Sequence, residues 1–207
     1  MKLATFVIAA ITGLAMIGYM QVTQETASAA TEKTSAGPSV ARKIDVAHST
    51  LTVRVYKTGL FSAFAHDHEI KAPITSGQFT EEHGPVEFTV DARQMKVLDP
   101  EVSAKDRAEI QETMLGPKVL DSQKSPEITF RSSSVENSGT EQWAVVGDLT
   151  IRGQTKSVRV GVQRKNGRYL GTGKLKQTDF GITPISIAGG AIKVKDEIKV
   201  EFDIAGE

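Results

Sequence analysis

Between Ser49 and Lys57 apolar and polar side chains alternate, so that Leu51, Val53 and Val55 fall on one side of an extended backbone and Thr50, Thr52, Arg54 and Tyr56 on the other. A period of two marks a strand with one face buried and the other wet. The pattern recurs over Val86 to Val90, Glu127 to Arg131, Trp143 to Ile151, Val158 to Val162 and Ile198 to Ile204. Strands this frequent, with few helical stretches between them, limit the chain to a sandwich or a barrel. A barrel of about eight antiparallel strands is the expectation, because closure removes exposed sheet edges and leaves an interior wide enough for one small ligand.

Turn chemistry supports up-and-down neighbours. Arg152-Gly153-Gln154 is short enough to join two strands tightly, and Lys165-Asn166-Gly167-Arg168 carries the Asn-Gly pair that supplies two positive φ angles to a type I′ hairpin. One segment departs from the β pattern. Asp99-Pro100 and Ser103 offer a cap and a first-turn proline, which predicts a helix to about Leu115, stopped by Gly116-Pro117. A second short helix is expected around Leu60 to Ala65, where Leu60, Phe61 and Phe64 make one apolar stripe at helical spacing.

The amino end reads as an export signal. Lys2 precedes an uncharged apolar run from Leu3 to Met20, and Ala27-Ser28-Ala29 is a small-x-small cleavage site, so residues 1–29 are expected to be removed. The alternative is an uncleaved anchor, since the run is close to the roughly 18 residues a membrane span requires. Residues 30–41, rich in Thr, Ser, Ala and Gly, are expected to form a flexible tether, and residues 42–207 the domain. A periplasmic or secreted location follows, without stable membrane insertion after cleavage.

Composition removes several classes of function. Lysine plus arginine and aspartate plus glutamate both number 25, with the signs interspersed, so no basic field exists to draw nucleic acid or anionic lipid. The chain has no cysteine, which excludes disulfides, thiolate-bound metal, a cysteine nucleophile and a lipidated cysteine. Gly171-Thr172-Gly173-Lys174 lacks the upstream glycine and following hydroxyl of a phosphate-binding loop, and neither a Gly-x-Ser-x-Gly elbow nor a His-Glu-x-x-His helix is present. A non-enzymatic role is expected. Homodimerisation stays open.

Four stretches stand out in order: Ile44-Asp45-Val46-Ala47-His48-Ser49, Ser125-Pro126-Glu127-Ile128-Thr129-Phe130-Arg131-Ser132, Val146-Gly147-Asp148-Leu149-Thr150-Ile151-Arg152-Gly153, and Thr178-Asp179-Phe180-Gly181. Taken together, they resemble the YceI-like family of lipocalin-like, polyisoprenoid-binding proteins. The resemblance spans roughly Ile44 to Ile204. It implies an all-β fold, an extended eight-stranded antiparallel lipocalin-like barrel with one or two short helices. It also implies that the bound ligand is an isoprenoid quinone or a polyprenyl lipid, and it brings no catalytic residues. Gln177 stands where the family often has arginine, and Val119-Leu120 replaces a usual Phe-Phe pair.

Phe61, Phe64, Phe130, Trp143 and Phe180 are the large apolar groups expected to line the interior, though an ordinary core would use the same residue types. By the period of two, Trp143, Val145, Gly147, Leu149 and Ile151 share the inward face of one strand, with Gly147 leaving room for a close neighbour. The alternative function rests on Ala65-His66-Asp67-His68-Glu69. If extended, this stretch would put His66 and His68 on one face, where they would bind a metal or haem iron with help from His48 or His83 in a stress-linked or redox-linked protein. Against it, two adjacent histidines fall short of the roughly four ligands of a closed site, and pairing with nearby carboxylates satisfies the same rings.

Overall fold

The computed structural model describes residues 40–207, except 61, 62, 64, 65, 82 and 83 and the side chain at 188. Among these residues the strands are β1 (Ala41–Lys43), β2 (Thr50–Thr58), β3 (His68–Lys71), β4 (Ile74–Thr80), β5 (Val86–Asp91) and β6 (Lys96–Val97). The helix α1 (Ala104–Leu115) follows, then β7 (Glu127–Gly139), β8 (Gln142–Ile151), β9 (Gln154–Lys165), β10 (Arg168–Lys176), β11 (Ser186–Ile187) and β12 (Ile192–Ile204). The expected helix at Leu60 to Ala65 falls largely outside the described residues, as do the signal segment and most of the tether.

Hairpins drive the topology. Arg152-Gly153 and Asn166-Gly167 all have positive φ, which twists each two-residue turn in the same sense as its strands and makes β8, β9 and β10 consecutive antiparallel neighbours. The pairing order is β1-β4-β5-β7-β8-β9-β10-β12-β2-β3-β6. Ala72-Pro73 separates β3 from β4, and β3 pairs with β2 while β4 pairs with β5. Proline cannot donate to a ladder, so what would be one long strand bends there. With β3 and β4 counted as one bent wall, the pairs run from β2 through β3–β4, β5, β7, β8, β9, β10 and β12 back to β2. The sheet therefore curls round on itself as the antiparallel lipocalin-like fold expected. It has more strand segments than the eight expected because one wall is broken by Pro73 and because β1, β6 and β11 are additions of two or three residues.

Two devices complete the barrel. The segment after β1 ties β4 to the end of β12, as Ile44 N–H donates to Gly77 O and Asp45 N–H to Ala205 O, both at 2.9 Å. At the other end lies α1, whose start is fixed by the Ser103 hydroxyl accepting from Asp106 N–H. Gln111 pins this helix to the sheet: its side chain accepts from Val97 N–H and donates to Met95 O, both at 2.8 Å. Met114, the buried residue of α1, reaches the barrel interior.

Candidate ligand-binding site

Alternation along each strand sends one row of side chains inward, and those rows enclose a cavity of about 240 Å³. Leu51, Val53 and Val55 come from β2, Val158, Val160 and Val162 from β9, and Ile198, Val200, Phe202 and Ile204 from β12. β8 contributes Trp143, Val145, Leu149 and Ile151, the face expected from its sequence. Trp143 and Ile151 lie at opposite ends of that strand, about 26 Å apart at roughly 3.3 Å per residue. The cavity is thus long for its volume, which is slightly below the roughly 300–1,000 Å³ usual for small-molecule sites. Such a space suits one slender apolar chain lying lengthwise.

Gly147 explains how an aromatic ring fits into this lining. A Cβ at that position would stand 2.5 Å from Phe130 Cζ, so the bare backbone of β8 is what lets the Phe130 ring lie across it. Phe130 in turn stacks on Phe88 of β5, with ring centroids 5.4 Å apart.

Among the described residues, polar groups meet the cavity only near its ends. At one end Tyr169 packs edge-on against Phe79, with centroids 4.9 Å apart, and lies 6.0 Å from Trp143. Burial pushes the Tyr169 hydroxyl above its ordinary pKa, with Glu81 adding to the effect, so the ring stays neutral. The indole N–H of Trp143 is buried and, among the described residues, has no hydrogen-bond acceptor. At the other end Gln177, 8% exposed, donates through Nε2 to Lys195 O at 2.8 Å and lies beside Ile182 in the lining.

The structure distributes the expected site residues unevenly. Phe130 and Trp143 line the cavity. Phe180 does not; it is 2% exposed within the hydrophobic core, on the short 3₁₀ turn Gln177–Phe180 that follows β10. That turn breaks the strand, so the lining position passes to Gln177 and Ile182, and Phe180 packs behind them. Phe61 and Phe64 lie outside the described residues. Sequence reasoning passed over Tyr169, although it holds an inward position of β10, opposite Ile204 of β12, and marked Gln177 only as a departure from the family's arginine.

The described histidines are not brought into one site. β3 begins at His68, so His66 precedes the strand and is exposed rather than sharing a strand face with it. The His68 ring is engaged elsewhere, its Nδ1 lying 2.6 Å from Oδ2 of the buried Asp99, whose Oδ1 accepts from Glu69 N–H. His48 pairs with Asp45 at 2.8 Å, and His83 lies outside the described residues. Among the described residues no group of three or more histidine or carboxylate side chains is arranged to hold a metal ion.

Comparison with known proteins agrees with this geometry. The sequence model of the YceI-like domain matches residues 43–206. The chain belongs to the YceI-like family. A UPF0312 protein of Vibrio cholerae is 32% identical over 92 residues, 40% of this chain and 47% of that protein. This YceI-like chain therefore spans about half the length of the curated relatives it matches. Among solved structures, Burkholderia cenocepacia BcnA superposes with a TM-score of 0.55 at 18% identity, over 78% of this chain and 98% of the other, which shows a shared fold. Family and barrel together support a binding or carrier kind of function. No helix among its described residues is long and apolar enough to cross a membrane.

Proposed function

We propose that the chain is an exported carrier, periplasmic or secreted, that sheathes the tail of an isoprenoid lipid, a quinone or a polyprenyl chain, in the barrel interior. The observation that carries the reading is the shape and chemistry of the cavity: long, lined by aliphatic and aromatic side chains from every long strand, with polar groups only near its ends. Each CH₂ taken from water contributes about 0.8 kcal/mol, so partial enclosure of a tail offsets the cost of immobilising it. The polar ends suit a ligand whose head is polar and whose body is not. No part of this reading requires catalysis. Extraction of lipids from purified protein, followed by mass spectrometry, tests it. An isoprenoid is expected to co-purify or, after delipidation, to bind when added; a protein that holds none and takes up no added quinone would refute the reading.

A further inference from the structure

Among the described residues that line the cavity, Gln177 is the one polar side chain more than nine-tenths buried, at 8% exposed; Thr80, Trp143 and Tyr169, toward the far end, are only part-buried. A bulge holds it in place. The pairing of β12 with β2 slips between Val194 and Ile198, and within that slip Lys195 O accepts from Gln177 Nε2 at 2.8 Å. The next residue is fixed in the same way, Thr178 donating through its N–H and its hydroxyl to the Asp196 carboxylate at 2.9 and 2.7 Å. Gln177 O accepts from Ile182 N–H at 3.1 Å, so backbone and side chain are both anchored. The barrel is covered at this end. Arg152, in the β8–β9 turn, donates to Gly181 O at 3.3 Å and to Pro117 O at 3.2 Å, which ties the 3₁₀ turn of Gln177 to the segment after α1. Val119 and Leu120 of that segment line the cavity, and Leu120, Phe180 and Ile182 are all buried.

A primary amide carries two N–H donors and an oxygen with two lone pairs. The bond to Lys195 O sets which way the amide faces and uses one donor; among the described residues no other hydrogen bond engages this side chain, so Oε1 and the second N–H remain open at the cavity wall. A hydrocarbon chain end packed there would leave the amide dry and unpaired, which is costly. Charge is equally unwelcome. Among the described residues no charged side chain lines the cavity, so a phosphate or carboxylate carried to this end would be buried without a counter-charge. We propose that Gln177 binds the polar head of the ligand and that this head is uncharged, a quinone carbonyl or a prenyl hydroxyl and not a phosphate, with the tail running toward Trp143. The second N–H suits a carbonyl oxygen and Oε1 suits a hydroxyl, so one fixed amide serves a quinone and its reduced quinol alike. The inference rests on the carrier reading and adds which end of the ligand enters deepest and which heads are admitted.

The test titrates delipidated wild type and Gln177→Met, which keeps the length of the side chain and removes its amide, with isoprenoids of similar size: a quinone, a prenyl alcohol, a prenyl phosphate and squalene, a hydrocarbon with no polar atom. Wild type is expected to hold the quinone and the alcohol about tenfold more tightly than the phosphate. Gln177→Met should lose about tenfold toward the quinone and the alcohol while holding squalene at least as well as wild type does, which shows that its barrel is intact. Infrared difference spectra add a direct readout: the carbonyl stretch of bound quinone should lie lower in wild type than in hydrocarbon solvent and return toward the solvent value in Gln177→Met. Quinone binding that is unchanged or tighter in Gln177→Met, or a phosphate held as tightly as the quinone by wild type, overturns this inference and leaves the carrier reading standing. Wild type that binds none of these isoprenoids refutes the carrier reading, and this inference with it. If Gln177→Met loses squalene too, the ranking of quinone against phosphate in wild type decides by itself.

Discussion

At Gly147 and Phe130 the lining depends on a single missing methyl group. The bare backbone at 147 admits the Phe130 ring, and the same ring stacks on Phe88, so three strands share one contact. Gly147→Ala should push Phe130 from its place and cost about 1–3 kcal/mol, the usual penalty of overpacking a core; chemical denaturation measures it, and a loss near zero would mean that the ring has room to move. Asp99 makes a second prediction at this scale. It is 4% exposed and accepts from Glu69 N–H while contacting His68 Nδ1. Asp99→Ala strands a backbone donor and an imidazole together, so roughly 1–3 kcal/mol of stability should be lost. The double variant Asp99→Ala, His68→Phe should recover part of that loss, and it tests directly whether His68 serves the fold through this pair.

The outer face of the barrel is held by a charged ladder that crosses β3, β2 and β12. Arg54 donates to Glu69 at 2.8 Å and to Glu201 at 2.7 Å, and Lys199 donates to the other oxygen of Glu201 at 2.7 Å. Hydrogen bonds from Lys199 and then Arg54 hold the Glu201 carboxyl below its ordinary value of 4.5. A carboxylate whose folded pKa is depressed contributes stability that is fully present above the unfolded value and is lost as pH falls through the folded one. Thermal midpoints of wild type should therefore drop on acidification below about pH 4.5, whereas Glu201→Gln should lie modestly lower at neutral pH and show a flatter acid limb, so that the two proteins converge in acid. Equal acid slopes for the two proteins would show that the ladder adds nothing measurable. Such ladders also show what was legible at this scale. Where alternation stays in phase, as in β2 and β8, the inward and outward sets could be assigned residue by residue from sequence. In β7 the phase slips at a bulge between Ser132 and Ser134, which puts Val135 inward after Phe130, and so the period ends at Arg131 although the strand runs on to Gly139. Short β3 and β6, and β4 beyond Pro73, carry too few turns of the pattern to be seen, because their pairing is set by neighbours distant in the chain.

For the whole molecule, antiparallel neighbours were readable from hairpin signals and alternation, which left a sandwich or a barrel, but the cavity was not, because a filled core and a lined cavity use the same apolar residues. The distinction lies in how far opposite walls stand apart, which is set by register and bulges. Trp143 offers a way to test that separation in solution, since it is the sole tryptophan and lines the cavity at one end, 6.0 Å from the Tyr169 ring. Its indole N–H is buried without an acceptor among the described residues, so its emission should lie to the blue of a water-exposed indole. Titration of a long-chain quinone into delipidated protein should quench that emission saturably, because the tail must occupy the same row of residues from Trp143 to Ile151. A head-group analogue without the tail should quench only weakly, as it buries far less apolar area. The complex should also resist unfolding, by about 2.7 kcal/mol when free quinone stands at a hundred times its dissociation constant. Val160→Phe adds bulk to the middle of the lining and should abolish the quenching without lowering the thermal midpoint, since the ring would fill space that the tail otherwise takes. Quenching that survives Val160→Phe would place the tail outside the barrel.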